Sequence, residues 1–81
     1  MTPRVTLYTR AGCCLCDTAR ERLAVLGRRA AFTLEQIDID TDRALRSLYN
    51  DEIPVVAING RKAFKYHIDE GEFLKILRAR A

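Results

Sequence analysis

Three cysteines stand within four residues of this chain, at the junction between a β-rich stretch and a helical one. Val5 to Thr9 is short, β-branched and aromatic and predicts a strand, whereas the residues after Gly12 show the three- and four-residue apolar spacing of a helix. Cys13 and Cys16 therefore fall in the first turn of the predicted helix, with α-carbons about 5 to 6 Å apart, as a disulfide requires. The chain must fold so that a strand leads directly into a helix carrying a dithiol at its start.

The start of a helix favours a negative charge on the first cysteine of the pair. Unpaired N–H groups and the positive end of the helix dipole stabilise a thiolate there, and the cation Arg10 is close in sequence. We therefore predict Cys13 as the nucleophile that attacks a substrate disulfide, and Cys16 as the resolving thiol. Cys14 points elsewhere on the helix, and a disulfide between it and the adjacent Cys13 would be strained. Its role as an accessory thiol or a third ligand stays open.

The composition is that of a small globular protein. The 81 residues, 48% hydrophobic and 31% charged, predict one domain spanning residues 1–81. The chain has no apolar run of about 18 residues and no signal-peptide pattern, so we expect a cytoplasmic location without membrane association. The formal charge of +3 comes from dispersed arginines mixed with acids, which argues against nucleic-acid binding. Clustered cysteines exclude a disulfide scaffold and indicate redox chemistry or metal binding.

The segments after the cysteines alternate between helix and strand patterns. Asn59-Gly60 between two β-type runs is the strongest short-range hairpin signal, so the strand after it should pair back antiparallel. Phe32 and Leu34 should face inward on the strand predicted at 32–39, whose slipped alternation indicates a bend or a bulge near Gln36. The order β-α-β-α-β-β-α predicts an α/β fold in which three helices cover a four-stranded mixed sheet. The predicted elements are strands at 5–9, 32–39, 53–58 and 61–64, and helices at 13–28, from 40 or 41, and from 69.

This pattern resembles the thioredoxin superfamily and, within it, small glutaredoxin-like proteins. The resemblance spans nearly the whole chain and is carried by three features: the run from Leu7 to Cys16, the Ile53-Pro54 pair, and the Asn59-Gly60 hairpin. It implies a thioredoxin-like fold and thiol–disulfide exchange, with a cis Pro54 that exposes the backbone of Ile53 to a bound substrate. It also implies a protein without a cofactor, which acts on a disulfide-containing protein or a glutathione-type substrate. We expect a monomer by default.

The resemblance assigns a set of substrate-binding positions around the thiol pair. Arg10 fits an anionic group such as a glutathione carboxylate, with glutathione as a candidate co-substrate. The reductant, which is glutathione, another thiol or a reductase, stays open because two positions depart from glutaredoxins. Cys14-Leu15 replaces Pro-Tyr, and Phe64-Lys65 stands where glycines would allow close approach of a ligand. The substrate-binding residues predicted in this way are Arg10, Cys14, Leu15, Ile53 and Pro54.

Two other functions compete with thiol–disulfide exchange. The cluster of Cys13, Cys14 and Cys16 could hold a metal ion or an iron–sulfur cluster shared by two copies, because thiolates select Cu(I), Zn and Fe–S centres. Copper chaperones with this motif end on a strand, whereas this chain ends on a predicted helix and carries Ile53-Pro54. A non-catalytic binding module is the third class, which the presence of both cysteines of the motif disfavours.

Overall fold

The central sheet joins both halves of the chain, with strands in the order β2-β1-β3-β4. In the computed structural model, which describes residues 2–80, β1 is parallel to β2 and antiparallel to β3, and β3 is antiparallel to β4. The strands are β1 (Arg4–Thr9), β2 (Thr33–Asp38), β3 (Val55–Ile58) and β4 (Arg61–Lys65). The helices are α1 (Cys14–Leu26), α2 (Arg43–Tyr49) and α3 (Glu70–Arg80), with a 3-10 helix over Ile39–Thr41. The predicted four-stranded mixed sheet with three helices is confirmed.

The core places α1 and α3 against the two central strands. Alternate residues of β1, Val5 and Leu7, are fully buried, and they share one cluster with buried residues of α1, β3 and α3. Phe73 of α3 is also fully buried, and its ring lies 5.4 Å from that of Phe32 and 6.3 Å from that of Phe64. The buried residues of α1 keep the predicted spacing of three and four, and they are Cys16, Ala19, Leu23 and Leu26. Cys16 is thus the first member of a stripe packed on the sheet.

The predicted hairpin is confirmed. Asn59 and Gly60 have φ angles of 51° and 84°, the two positive values that a type I′ turn requires. The Asn59 Oδ1 also accepts a hydrogen bond from the backbone N–H of Arg4 at 2.9 Å, which ties the turn to the start of β1. The one irregularity of this hairpin is a bulge between Val56 and Ala57.

The predictions for β2 were partly wrong. Its register against β1 is continuous from Arg4–Thr33 to Thr9–Asp38, so there is no bulge near Gln36. Leu34 is 39% exposed instead of facing inward, because β2 lies at the edge of the sheet and its first four residues are exposed. The break in alternation has another cause: the buried Ile39 belongs to the 3-10 helix after the strand.

Helix boundaries differ from the predictions by a few residues. Asp42 caps α2, since its Oδ1 accepts hydrogen bonds from the N–H groups of Ala44 at 2.8 Å and Leu45 at 3.3 Å. The predicted caps, Asp40 and Thr41, instead lie inside the 3-10 helix. Among residues 2–80, no helix combines the length and the apolar character needed to cross a membrane.

Candidate functional site at the start of the first helix

Cys13 is the N-cap of α1, one residue before the helix begins. Its backbone is extended, with φ −91° and ψ 112°, and its Sγ accepts a hydrogen bond from the N–H of Cys16 at 3.2 Å. Its carbonyl accepts the first helical bond, from the N–H of Asp17 at 3.2 Å. The sulfur thus holds the position where a Ser, Thr or Asp oxygen usually caps a helix. An N–H donor and the positive end of the helix dipole both face this sulfur.

The three cysteines differ sharply in accessibility. Cys13 is half-buried, Cys14 is exposed, and Cys16 is fully buried, and all three are free thiols. The pair Cys13 and Cys16 thus combines an accessible sulfur with a buried cysteine in direct hydrogen-bond contact. A nucleophile and a resolving thiol require this order of exposure. Leu15, a predicted substrate-binding residue, is 40% exposed beside them in the first turn of the helix.

Opposing influences act on the Cys16 thiol. Burial raises the pKa of this thiol above its ordinary value, and the hydrogen bond with Cys13 raises it further. The Thr9 hydroxyl and the backbone N–H of Arg10 lower the pKa of Cys16, because both are donors that favour the anion. Cys13 is the titratable group that acts on Cys16, and the net result of all these influences is a raised pKa of the Cys16 thiol.

Thr9 is a site residue that the sequence analysis did not find. It follows Val5 and Leu7 on the same face of β1, and it is 8% exposed. Among residues 2–80 its Oγ1 has no hydrogen-bond partner in this dithiol state. A buried hydroxyl without a partner is costly and calls for an explanation. The signal was present in the sequence, because the period of two from Val5 and Leu7 directs Thr9 to the side on which Cys16 starts the buried stripe of α1.

The guanidinium of Arg10 is bound by other side chains of the protein. Its Nε and Nη2 donate to the two carboxylate oxygens of Asp40, each at 3.0 Å, and Nη2 also donates to the Oδ1 of Asn50 at 2.6 Å. The side chain predicted to bind a thiolate or a substrate anion is therefore occupied by a carboxylate and an amide.

The Ile53–Pro54 peptide bond is cis, as the resemblance implies. Antiparallel pairing of β1 and β3 extends to Tyr8–Val55, so Pro54 and Ile53 continue alongside the end of β1 that leads into the cysteines. Pro54 is fully buried and its carbonyl accepts a hydrogen bond from the N–H of Tyr66 at 2.9 Å. Ile53 is half-buried, and within residues 2–80 its backbone N–H and carbonyl form no hydrogen bond.

Near Pro54, the residue with a positive φ angle is Tyr66 and not Phe64 or Lys65. Phe64 and Lys65 are ordinary residues of β4, whereas Tyr66 has a φ of 68°, in the left-handed region that glycine favours. Two hydrogen bonds hold it there, one from its N–H to Pro54 and one from its hydroxyl to the carbonyl of Asp51 at 2.7 Å. The ring is 38% exposed and forms part of the surface around Pro54.

The structure shows no arrangement for a metal ion among the described residues. Over residues 2–80, no group of three or more His, Cys, Asp and Glu side chains is placed to hold one. The three cysteines predicted for that alternative are divided between half-buried, exposed and buried positions.

Comparisons with known proteins agree with this geometry. The family model "Glutaredoxin-like domain (DUF836)" matches residues 4–78. The uncharacterized protein Rv0508 of Mycobacterium tuberculosis is 37% identical over 73 residues, which are 84% of this chain and 75% of that protein. The solution structure of Ne2328 from Nitrosomonas europaea superposes with a TM-score of 0.86 at 32% identity, covering 95% of this chain and 93% of that one.

A more distant structure extends the likeness of the fold. A mutant thioredoxin from Halobacterium salinarum superposes with a TM-score of 0.69 at 17% identity, covering 95% of this chain and 73% of that one. At this identity the likeness concerns the fold alone. The chain has a thioredoxin-like fold and belongs to the glutaredoxin-like domain family (DUF836).

Proposed function

We propose that this protein is a thiol–disulfide oxidoreductase in which Cys13 is the nucleophile and Cys16 the resolving thiol. The observation that carries the proposal is the cap of α1: an accessible sulfur at a helix N-terminus, in hydrogen-bond contact with the N–H of a second, buried cysteine. Membership of the glutaredoxin-like family agrees with redox chemistry at this position. The exposed Leu15 and Cys14, and an Ile53 backbone that has no hydrogen bond among residues 2–80, support a substrate surface beside Cys13.

The reaction has two steps that transfer two electrons. First, the Cys13 thiolate attacks one sulfur of the substrate disulfide, so that a mixed disulfide forms and the other substrate sulfur leaves as a thiolate. Second, Cys16 loses its proton and attacks the Cys13 sulfur, which forms the Cys13–Cys16 disulfide and releases the remaining substrate thiolate. The two departing thiolates take up the protons lost by the two cysteines. The substrate disulfide is reduced to two thiols and the protein dithiol is oxidised.

The proposed substrates are protein disulfides or low-molecular-weight disulfides in the cytoplasm. Glutathione, another thiol or a reductase then returns the protein to its dithiol form. The occupied guanidinium of Arg10 gives glutathione no preference over these other reductants.

The proposal is tested by equilibrating the protein with glutathione buffers of graded redox potential and counting free thiols by mass spectrometry. We expect a single two-electron transition that leaves one free thiol, assigned to Cys14. The Cys14→Ser variant, as a matched control, should keep the transition and leave no free thiol. Three free thiols under every buffer, or a disulfide that includes Cys14, would contradict the assignment.

Replacing Thr9 by valine should slow the second step by about tenfold, since a hydrogen bond to a charged group is worth about 1.5–3 kcal/mol. Among residues 2–80 the hydroxyl has no hydrogen-bond partner, and its influence on Cys16 is to lower the pKa of that thiol. Without it, the pKa of Cys16 should rise, and the profile of resolution rate against pH should move to higher pH. Stopped-flow measurement of mixed-disulfide decay at several pH values provides the test.

Thr9→Ser is the matched control because it keeps the hydroxyl and loses only the methyl group. It should retain the pH profile of the original protein even if the methyl loss lowers its stability. Thr9→Val should be at least as stable in urea, since it removes an unsatisfied buried hydroxyl. A Thr9→Val protein that is less stable yet resolves the mixed disulfide at the original rate would limit Thr9 to a packing role.

A further inference from the structure

The guanidinium of Arg10 connects parts of the chain that are far apart in sequence. Asp40 belongs to the 3-10 helix after β2, and Asn50 is the C-cap of α2, so the three hydrogen bonds span 30 and 40 residues. The two bonds to Asp40 form the planar fork in which arginine binds a carboxylate with defined geometry. The network is half-exposed, with side-chain exposures of 28% for Arg10 and 41% for Asp40.

The network continues to the loop that carries Pro54. The Asn50 side-chain amide donates to the Oδ1 of Asp51 at 3.3 Å, and the Asp51 carbonyl accepts the hydroxyl of Tyr66 at 2.7 Å. The Tyr66 N–H in turn donates to the Pro54 carbonyl at 2.9 Å. These contacts, together with those of Arg10, join the segment before the cysteines to the segments that carry Pro54 and Tyr66.

The loop between Arg10 and Cys13 has little else to hold it. Ala11 and Gly12 are exposed, and Gly12 has a φ of 77°, with no atom within 4 Å of the position where a Cβ would stand. The backbone N–H of Arg10 also favours the anionic form of the buried Cys16 thiol. This N–H belongs to the residue whose guanidinium Asp40 and Asn50 hold, at the start of the loop that leads to the Cys13 cap.

We infer that Arg10 is a positioning residue: its ion pair with Asp40 and its bond to Asn50 anchor the loop that presents the Cys13 cap and the Arg10 N–H to Cys16. The inference rests on the proposed function and concerns its second step. In that step the Cys16 thiolate attacks Cys13 of the mixed disulfide, the Cys13–Cys16 bond forms, and the substrate sulfur leaves with the two electrons of the broken bond and takes up a proton.

A direct role of Arg10 in substrate binding predicts effects of the opposite sign. If the guanidinium bound a substrate anion, Asp40→Asn would release it and lower the KM for an anionic disulfide, whereas Arg10→Gln would raise that KM. If Arg10 and Asp40 instead form a positioning network, Arg10→Gln and Asp40→Asn both break the same contact. Each should then slow resolution by about fivefold, and the double variant should be no slower than either one, because residues of one network are not additive.

The test uses glutathione disulfide as the anionic substrate and hydroxyethyl disulfide as the neutral one, with kcat and KM measured for both. We expect Arg10→Gln and Asp40→Asn to lower kcat equally for the two substrates and to leave both KM values within about twofold. Arg20→Gln is the matched control. Arg20 also pairs with one carboxylate and one amide, Asp17 at 2.7 Å and Gln36 at 2.8 Å, and its loss should leave both constants unchanged.

A second readout does not require turnover. In a protein with Cys13→Ser and Cys14→Ser, the ultraviolet absorbance of the thiolate reports the ionisation of Cys16 alone. We expect Arg10→Gln and Asp40→Asn to raise the pKa of Cys16 in this background and Arg20→Gln to leave it unchanged.

Several results would overturn the inference. KM changes of opposite sign in Asp40→Asn and Arg10→Gln would make Arg10 a substrate-binding residue, and additive losses in the double variant would show that the two residues act independently. An equal loss in Arg20→Gln would show that any surface arginine suffices. If the original protein exchanges no disulfide, the proposed function fails, and an unchanged pKa of Cys16 in Arg10→Gln would then separately reject the positioning role.

Discussion

Replacing Cys13 by serine should reduce disulfide exchange to the rate of the uncatalysed reaction. A serine hydroxyl does not supply a thiolate, whereas it accepts hydrogen bonds well at a helix N-cap, the position that Cys13 holds. The variant should therefore keep its fold and lose its chemistry. Urea unfolding measures the first property, and exchange with a small disulfide, followed by chromatography, measures the second.

Cys16→Ser is the companion variant that separates the two steps. It should still form the mixed disulfide through Cys13 and then accumulate it, because no buried thiol is left to resolve it. Mass spectrometry should show one substrate moiety per chain, attached at Cys13. Exchange that survives Cys13→Ser and disappears in Cys14→Ser would move the nucleophile to Cys14, the exposed neighbour.

Replacing Phe73 by alanine should cost about 3–5 kcal/mol of unfolding free energy, as for other buried aromatic residues. Phe73 is fully buried, and its ring contacts those of Phe32 and Phe64, so it closes the core between α3 and the sheet. A domain of this length has a total stability of about 4–12 kcal/mol, so the variant should lose a large part of it and unfold at a much lower urea concentration. Urea unfolding of both proteins measures the difference.

Leu48→Ala provides the comparison for Phe73→Ala. Leu48 is 63% exposed on α2, a helix in which no residue is buried, so its loss should change stability by less than about 0.5 kcal/mol. Equal losses in the two variants would mean that the contacts of α3 with the sheet contribute little to the fold.

The elements that were predicted correctly are those specified by short-range signals. The Asn59-Gly60 turn requires two positive φ angles, which few other residue pairs adopt, and the α1 stripe repeats every three or four residues. The position of Cys13 and Cys16 at the N-terminus of α1 could be predicted because Cys16 is the first member of that stripe. For β2 the same reasoning failed at Leu34, since an apolar residue on an edge strand is not required to be buried.

The partners of polar side chains could not be predicted in the same way. Arg10 is three residues from Cys13 in the sequence, yet its partners Asp40 and Asn50 lie 30 and 40 residues away from it in the sequence. Only folding brings these partners together. Tyr66 has the positive φ that a glycine would be expected to adopt, because hydrogen bonds to Pro54 and Asp51 hold it there. Sequence patterns describe neighbours along a strand or helix, whereas these contacts join separate loops.

The cap of α1 links the stability of the helix to the redox equilibrium of the proposed dithiol–disulfide couple. The sulfur that accepts the Cys16 N–H at 3.2 Å is the same atom that, in the proposed reaction, becomes bonded to sulfur on oxidation, when its capacity as an acceptor falls. A cap of ordinary strength, about 1 kcal/mol, then stabilises the reduced form alone and shifts a two-electron couple by about 20 mV toward a stronger oxidant. The first turn of α1 therefore contributes directly to the driving force with which the protein accepts electrons.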